Sequence, residues 1–84
     1  MFINKTSDGK NNLCGRNVAA ARKRLGISQR KLANQLQLYG LSIDKNAVQR
    51  IESGQRFVTD IELVAFVNVL GLAYEELLSS PTGL

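Results

Sequence analysis

Apolar residues follow a helical spacing from residue 13 onward. The first stripe recurs at intervals of three and four residues and stops at Gly26; its members are Cys14, Val18, Ala21 and Leu25. The same spacing predicts further helices over residues 29–39, 45–53 and 60–70, with the stripes Leu32, Ala33, Leu36 and Tyr39, then Ala47, Val48 and Ile51, then Leu63, Phe66, Val67 and Leu70. A short fifth helix is expected at about 74–79.

Residues suited to helix ends stand at the edges of these segments. Ser28, Asp44 and Thr59 are good N-caps, and a glycine follows each of the three helices that they begin. Because no segment alternates apolar and polar residues, strands are not expected. The prediction is an all-α domain of five helices over residues 13–79, preceded by a polar, disordered arm (1–12) and followed by a C-terminal tail (80–84).

Charge is segregated along the 84 residues. All eleven Lys and Arg lie in residues 1–56 with three acids, whereas residues 57–84 hold no base and four acids, for a net charge of +4. A basic half joined to an acidic half favours one face for a polyanion and another face for a different contact.

The residue types disfavour an enzyme or a metalloprotein. There is no histidine, Cys14 is the only cysteine, and the acids are scattered. Glycine-rich phosphate loops are also missing. We therefore expect no catalytic residues, no metal site and no cofactor.

Targeting signals are likewise not evident. The start, "MFINKTSDGKNN", lacks a basic region followed by an apolar one, and the longest apolar stretch is interrupted by Asn68 and Gly71. The expectation is a cytoplasmic, nucleoid-associated protein that makes no contact with membranes.

Two consecutive segments resemble a known family. "ISQRKLANQL" followed by "AVQRIESGQR", with "VLG" and "EELL" further on, is similar to the lambda-repressor-like (Cro-type, XRE) helix-turn-helix domains. The resemblance covers residues 15–78 and implies binding of double-stranded DNA, with the helix at about 45–53 in the major groove.

The resemblance also implies roles for individual residues. The groove-facing positions that would contact bases are Lys45, Asn46, Gln49 and Arg50. Contacts to DNA phosphates are expected from Gln29, Arg30 and Arg56. Arg22, beside the apolar stripe of the first helix, matches an arginine that meets the glutamate of the recognition helix, here Glu52, so we expect a partly buried ion pair between them.

Two features depart from the family. The link between Ala33 and Val48 is about five residues longer than usual, which predicts an extra turn of the second helix and a longer loop with Ile43 as a plug. The fourth helix is also apolar opposite its core stripe, and this second face comprises Ile61, Val64, Ala65, Asn68 and Val69. Either another part of the chain covers that face or a second subunit does.

The function that this reasoning favours is a sequence-specific DNA-binding transcriptional regulator, a repressor. A two-fold homodimer is the usual arrangement for helix-turn-helix proteins, and it is one of the two ways to cover the outer face of the fourth helix. One alternative is an antitoxin-like module whose acidic, apolar C-terminal half binds a partner protein. Another is a helical module that lies on RNA or on anionic membranes.

Overall fold

The computed structural model describes residues 4–79, and within that range the chain is all-helical without strands. Its five helices are α1 (Gly15–Arg24), α2 (Gln29–Tyr39), α3 (Lys45–Glu52), α4 (Asp60–Leu70) and α5 (Tyr74–Leu78). The predicted all-α architecture is confirmed. The C-terminal tail predicted at 80–84 lies outside the described residues.

Side-chain caps begin the three central helices. The side-chain oxygens of Ser28, Asp44 and Thr59 accept hydrogen bonds from backbone amides in the first turns of α2, α3 and α4, at 3.0, 2.8 and 3.2 Å respectively. Glu62 completes a capping box at α4, because its Oε1 accepts from the Thr59 amide at 2.9 Å. These caps satisfy amides that have no partner within the helix.

The core collects one apolar stripe from each helix. α3 packs against α1 and α2, α4 packs against α1 and α2, and α5 packs against α1 and α4. The largest fully buried side chains come from all five helices, among them Val18, Leu32, Leu36, Ile51, Phe66 and Leu77. The inner face of α3 is thus fixed on two sides, which leaves its outer face to solvent.

The connection between α2 and α3 is lengthened, as predicted. α2 continues to Tyr39, and residues 40–44 join it to α3. Ile43 is only 5% exposed and belongs to the core, while its carbonyl accepts a hydrogen bond from Gln37 Nε2 at 2.7 Å. The loop is therefore held by a buried side chain and a polar contact just before α3 begins.

Some positions differ from the predicted stripes. Leu25 and Tyr39 are exposed; Leu25 is the C-cap of α1, and Tyr39 is the last residue of α2. Ala65, which the sequence placed on the outer face of α4, is 2% exposed and lies in the core. Val69, from the same predicted face, is partly buried and packs against the core.

The structure also differs from the predicted disordered arm over residues 10–12. These residues make hydrogen bonds to the end of α3 and to the loop that follows it. The polar composition suggested that these residues would be solvated. Instead, the side chains of Lys10, Asn11 and Asn12 donate hydrogen bonds to backbone carbonyls.

Candidate nucleic-acid interface

The outer face of α3 is polar and exposed. Its inner positions Ala47, Val48 and Ile51 are buried, so the helical spacing turns four long polar side chains outward: Lys45, Asn46, Gln49 and Arg50. Within residues 4–79, none of these four side chains takes part in an ion pair at 4 Å or less. Their donors and acceptors are available to a molecule that approaches from outside.

A partly buried ion pair connects α3 to α1. Arg22 Nε donates to Glu52 Oε2 at 2.7 Å and Arg22 Nη2 donates to Glu52 Oε1 at 3.1 Å. The two side chains, which sequence reasoning paired, are 13% and 7% exposed. The hydrogen bond to the carboxylate raises the pKa of Arg22 above its ordinary value, although partial burial acts in the opposite direction. Arg22 therefore stays charged.

Gln29 extends this pair to α2. Its Nε2 donates to Glu52 Oε1 at 3.0 Å, while Arg22 Nη1 donates to the Ile27 carbonyl at 2.9 Å. Three helices thus meet at one carboxylate. The family resemblance implied a phosphate contact for Gln29, whereas in the structure its side-chain amide braces α3 through Glu52.

Arg56 has an intramolecular partner that the sequence did not suggest. Its Nη1 lies 3.0 Å from Glu62 Oε2 and 3.1 Å from Oε1, and its side chain is partly buried. Because Glu62 also caps α4, this pair fixes the loop after α3 to the start of α4. An expected phosphate contact of Arg56 would have to share the guanidinium with Glu62.

Arg30 lies next to the outer face of α3. It lines an open depression of about 360 Å³ between α2 and the start of α3, together with Asn34, Lys45 and Asn46. A base on α2 and two of the predicted base-contacting residues therefore share one continuous surface.

The predicted dimer face is smaller than the sequence suggested. Ile61 and Val64 are 71% and 41% exposed, whereas Ala65 and Val69 belong to the core or pack against it. Phe57, in the loop before α4, is also exposed. The outward apolar positions of this region are consequently Phe57, Ile61 and Val64.

Other chemistry has little support within residues 4–79. No group of three or more His, Cys, Asp and Glu residues could hold a metal ion there. Burial raises the pKa of the Cys14 thiol to about 11, so this cysteine is a neutral core residue at ordinary pH. No helix in the described range has the length and apolarity that crossing a membrane requires.

Two packed helices, the second with a polar outer face, are the arrangement of helix-turn-helix domains. The chain belongs to the helix-turn-helix domain family, whose model matches residues 14–79. This membership makes it a DNA-binding protein of the transcription-regulator class.

Solved structures show the same fold. The restriction-modification controller protein C.AhdI from Aeromonas hydrophila is 27% identical, with a TM-score of 0.65 over 75% of this chain and 88% of that one. A hypothetical transcription factor, NHTF from Neisseria, is 22% identical and similar in fold, with a TM-score of 0.73 over 92% of this chain and 83% of that one. Among curated proteins, no sequence matches.

Proposed function

We propose that this protein is a sequence-specific repressor of transcription that inserts α3 into the major groove of double-stranded DNA. The observation that carries the proposal is the exposed polar face of α3 on a helix fixed by the Arg22–Glu52 pair. An α-helix with its side chains is about 10–12 Å across, which matches the roughly 12 Å width of the major groove.

The four exposed side chains supply the donors and acceptors that base recognition needs. Lys45 and Arg50 can donate to guanine O6 and N7, and Asn46 and Gln49 can pair with adenine N6 and N7. Each good bidentate pair discriminates against the wrong base by about 1–3 kcal/mol. We assign base contacts to these four residues and a phosphate contact to Arg30. Gln29 and Arg56, which have intramolecular partners, are assigned positions beside the DNA phosphates.

Selection of bound duplexes from a random DNA library at physiological salt tests the proposal. We expect wild-type protein to enrich one consensus and Arg50→Ala to lose preference at one base position. The matched control is Lys23→Ala, which removes the same charge from the exposed surface of α1. If the wild type enriches nothing and behaves like Arg50→Ala, the recognition-helix assignment is refuted.

We also propose that the protein acts as a homodimer on two-fold symmetric sites. Helix-turn-helix dimers read half-sites about one helical turn apart, so the enriched consensus should be a palindrome. Repression is tested by placing that consensus over a promoter in a reporter. Transcription should fall as the protein is induced, and a rise would indicate an activator.

A second candidate is a module that binds another protein through its C-terminal half. The exposed apolar side chains at Phe57, Ile61 and Val64 favour it, together with the acids concentrated after residue 57. Co-purification of one partner in a fixed ratio, lost in Ile61→Glu, would support this function. A homodimer that retains no other protein would argue against it.

A further inference from the structure

The segment of residues 10–12, here called the N-terminal clasp, lies against the C-terminal end of α3. Asn11 N donates to the Gly54 carbonyl at 2.7 Å, and Asn11 Nδ2 donates to the Gln55 carbonyl at 2.7 Å. Lys10 Nζ donates to the Ser53 carbonyl at 3.2 Å. Sequence reasoning gave this segment no function.

Asn12 makes the central contacts of the clasp. Its Nδ2 donates to the carbonyls of Ile51 and Arg56, at 3.1 and 2.7 Å. Its Oδ1 accepts from the Gly15 amide at 2.8 Å, so one side chain joins the start of α1 to the end of α3 and to the following loop.

The clasp supplies donors where a helix needs them. The last carbonyls of any helix have no partner within it, and α3 has only eight residues. Residues 10–12 donate to the carbonyl of Ile51 in α3, which also accepts from the Gly54 amide, and to that of the C-cap Ser53. They also donate to three carbonyls of the following loop, those of Gly54, Gln55 and Arg56.

Close packing at the same place makes the position of α3 specific. A Cβ on Gly15 would lie 2.0 Å from the Ile51 carbonyl oxygen and 2.9 Å from Asn12 Oδ1. At Gly54, where φ is +81°, an added Cβ would lie 2.5 Å from Lys10 Cδ. The clasp and the start of α1 therefore leave little freedom to the end of α3.

From this geometry we infer that Asn12 is a positioning residue for DNA recognition, although it need not touch DNA. It fixes the axial position of α3, so that Gln49 and Arg50 in the last turns reach the correct base pairs. The inference rests on the proposed function, because it concerns the aim of the same helix.

Asn17 provides a matched control for Asn12. Its Nδ2 also donates to two carbonyls, those of Leu77 at 2.7 Å and Ser79 at 2.8 Å, but these lie at the end of α5. Asn12→Ala and Asn17→Ala each remove a side-chain amide that donates to two carbonyls, without changing the charge. Asn12→Ala also removes the bond that its Oδ1 accepts from the Gly15 amide. Asn11→Ala is a milder clasp variant, because its backbone bond to Gly54 remains.

The experiment measures the affinity of each variant for the selected duplex and for a scrambled duplex, well below the melting temperature. We expect Asn12→Ala and Asn17→Ala each to lower the melting temperature. Of these two, only Asn12→Ala should lose affinity for the selected duplex, by about tenfold, which is the equivalent of one base contact. Affinity for scrambled DNA and the salt dependence should stay as in wild type, because no phosphate contact is removed. Asn11→Ala should show a smaller loss of the same kind.

The outcomes separate the two proposals. Wild-type protein without preference for any duplex would overturn the proposed function and this inference with it. A wild-type preference that Asn12→Ala retains in full, or that Asn17→Ala loses equally, would overturn the inference alone. If Asn12→Ala does not fold, Asn11→Ala decides: specific affinity equal to that of wild type would then contradict the role of the clasp.

Discussion

Glu52 is the only acid within α3, on a helix that we expect to face a polyanion. Its two carboxylate oxygens accept three hydrogen bonds, two from Arg22 and one from Gln29. The negative charge is thereby neutralised inside the protein instead of being presented to phosphates. This carboxylate holds α3 against α1 and α2, while the side chains that we assign to base contacts lie on the exposed face of the same helix.

Breaking this pair should be costly. Arg22→Met leaves the Glu52 carboxylate without its counter-ion, and Glu52→Gln leaves the Arg22 guanidinium without its counter-ion. Since both groups are largely shielded from solvent, we expect each variant to lower the free energy of unfolding by about 3 kcal/mol. The double mutant should lose clearly less than the sum, as measured by chemical denaturation.

The Asp8–Arg16 pair is the control for that cycle. Its side chains are 51% and 66% exposed, so Asp8→Asn should leave the free energy of unfolding essentially unchanged. Small, additive losses for the Arg22 and Glu52 variants would show instead that the buried pair acts as two independent charges.

Cys14 predicts a pH dependence at the alkaline end. Burial raises its pKa from the ordinary value of 9.0 to about 11. Between these values the unfolded chain releases the thiol proton and the folded chain keeps it, so the free energy of unfolding should fall as pH rises, by at most about 2–3 kcal/mol. Denaturation of wild type and Cys14→Ala from pH 8 to 11 checks this: the variant should fall less steeply, and parallel profiles would contradict it.

At the scale of elements, most helix ends followed from local chemistry. Ser28, Asp44 and Thr59 act on amides within three residues, so their effect is visible in the sequence. The exposure of Tyr39 and the burial of Ala65 depend on where neighbouring helices end and how closely they cross, which periodicity does not encode.

The site was predictable to a different degree. The outward side of α3 follows from its apolar stripe, and a family resemblance paired Arg22 with Glu52. The Arg56–Glu62 pair and the N-terminal clasp escaped prediction, because side chains there meet carbonyls or carboxylates with no regular sequence spacing.

Asp44 has two opposite effects at the start of α3, one on helix stability and one on DNA binding. It caps the helix through the Ala47 amide but adds a negative charge beside Lys45 and Asn46. Asp44→Asn keeps a capping oxygen, so the free energy of unfolding should change by less than about 1 kcal/mol. We expect DNA affinity at 50 mM salt to rise severalfold and the gain to shrink at 200 mM.

Asp44→Ala is the matching variant, since it removes the charge and the cap together. It should destabilise the protein by about 1 kcal/mol. Equal DNA affinity of wild type and Asp44→Asn at low salt would place the start of α3 away from the phosphates.

At the scale of the whole molecule, bases and acids occupy different parts of the chain. Every Lys and Arg precedes residue 57, and within residues 4–79 ion pairs engage Arg16, Arg22 and Arg56. Lys45 and Arg50 on α3 and Arg30 on α2 are outside those pairs. This distribution leaves the α2–α3 side basic, as DNA binding requires. The surface around α4 and α5, which carries no base, is left for the contact with a second subunit that we propose.

The dimerisation affinity tests whether the exposed apolar surface at the start of α4 contacts a second subunit. Burying an exposed Ile contributes about 1.5–3 kcal/mol, and a two-fold interface uses it twice, so Ile61→Glu should weaken dimerisation at least about 100-fold. Sedimentation equilibrium measures the change. Leu38→Glu, at the exposed end of α2, is the control and should leave the dimer intact. A wild type that remains monomeric at high concentration would contradict the dimer.

The N-terminal clasp also has a consequence for the order of folding. Its side chains bond carbonyls 39 to 44 positions further along the chain, whereas each helix needs only local contacts. Closing so long a loop has an entropic cost that only assembled helices can offset. Residues 10–12 leave the ribosome before α3 does, and their hydrogen-bond partners exist only once residue 56 has been added. The clasp should accordingly be the last part of this interface to form during synthesis, and the first to open in the finished protein.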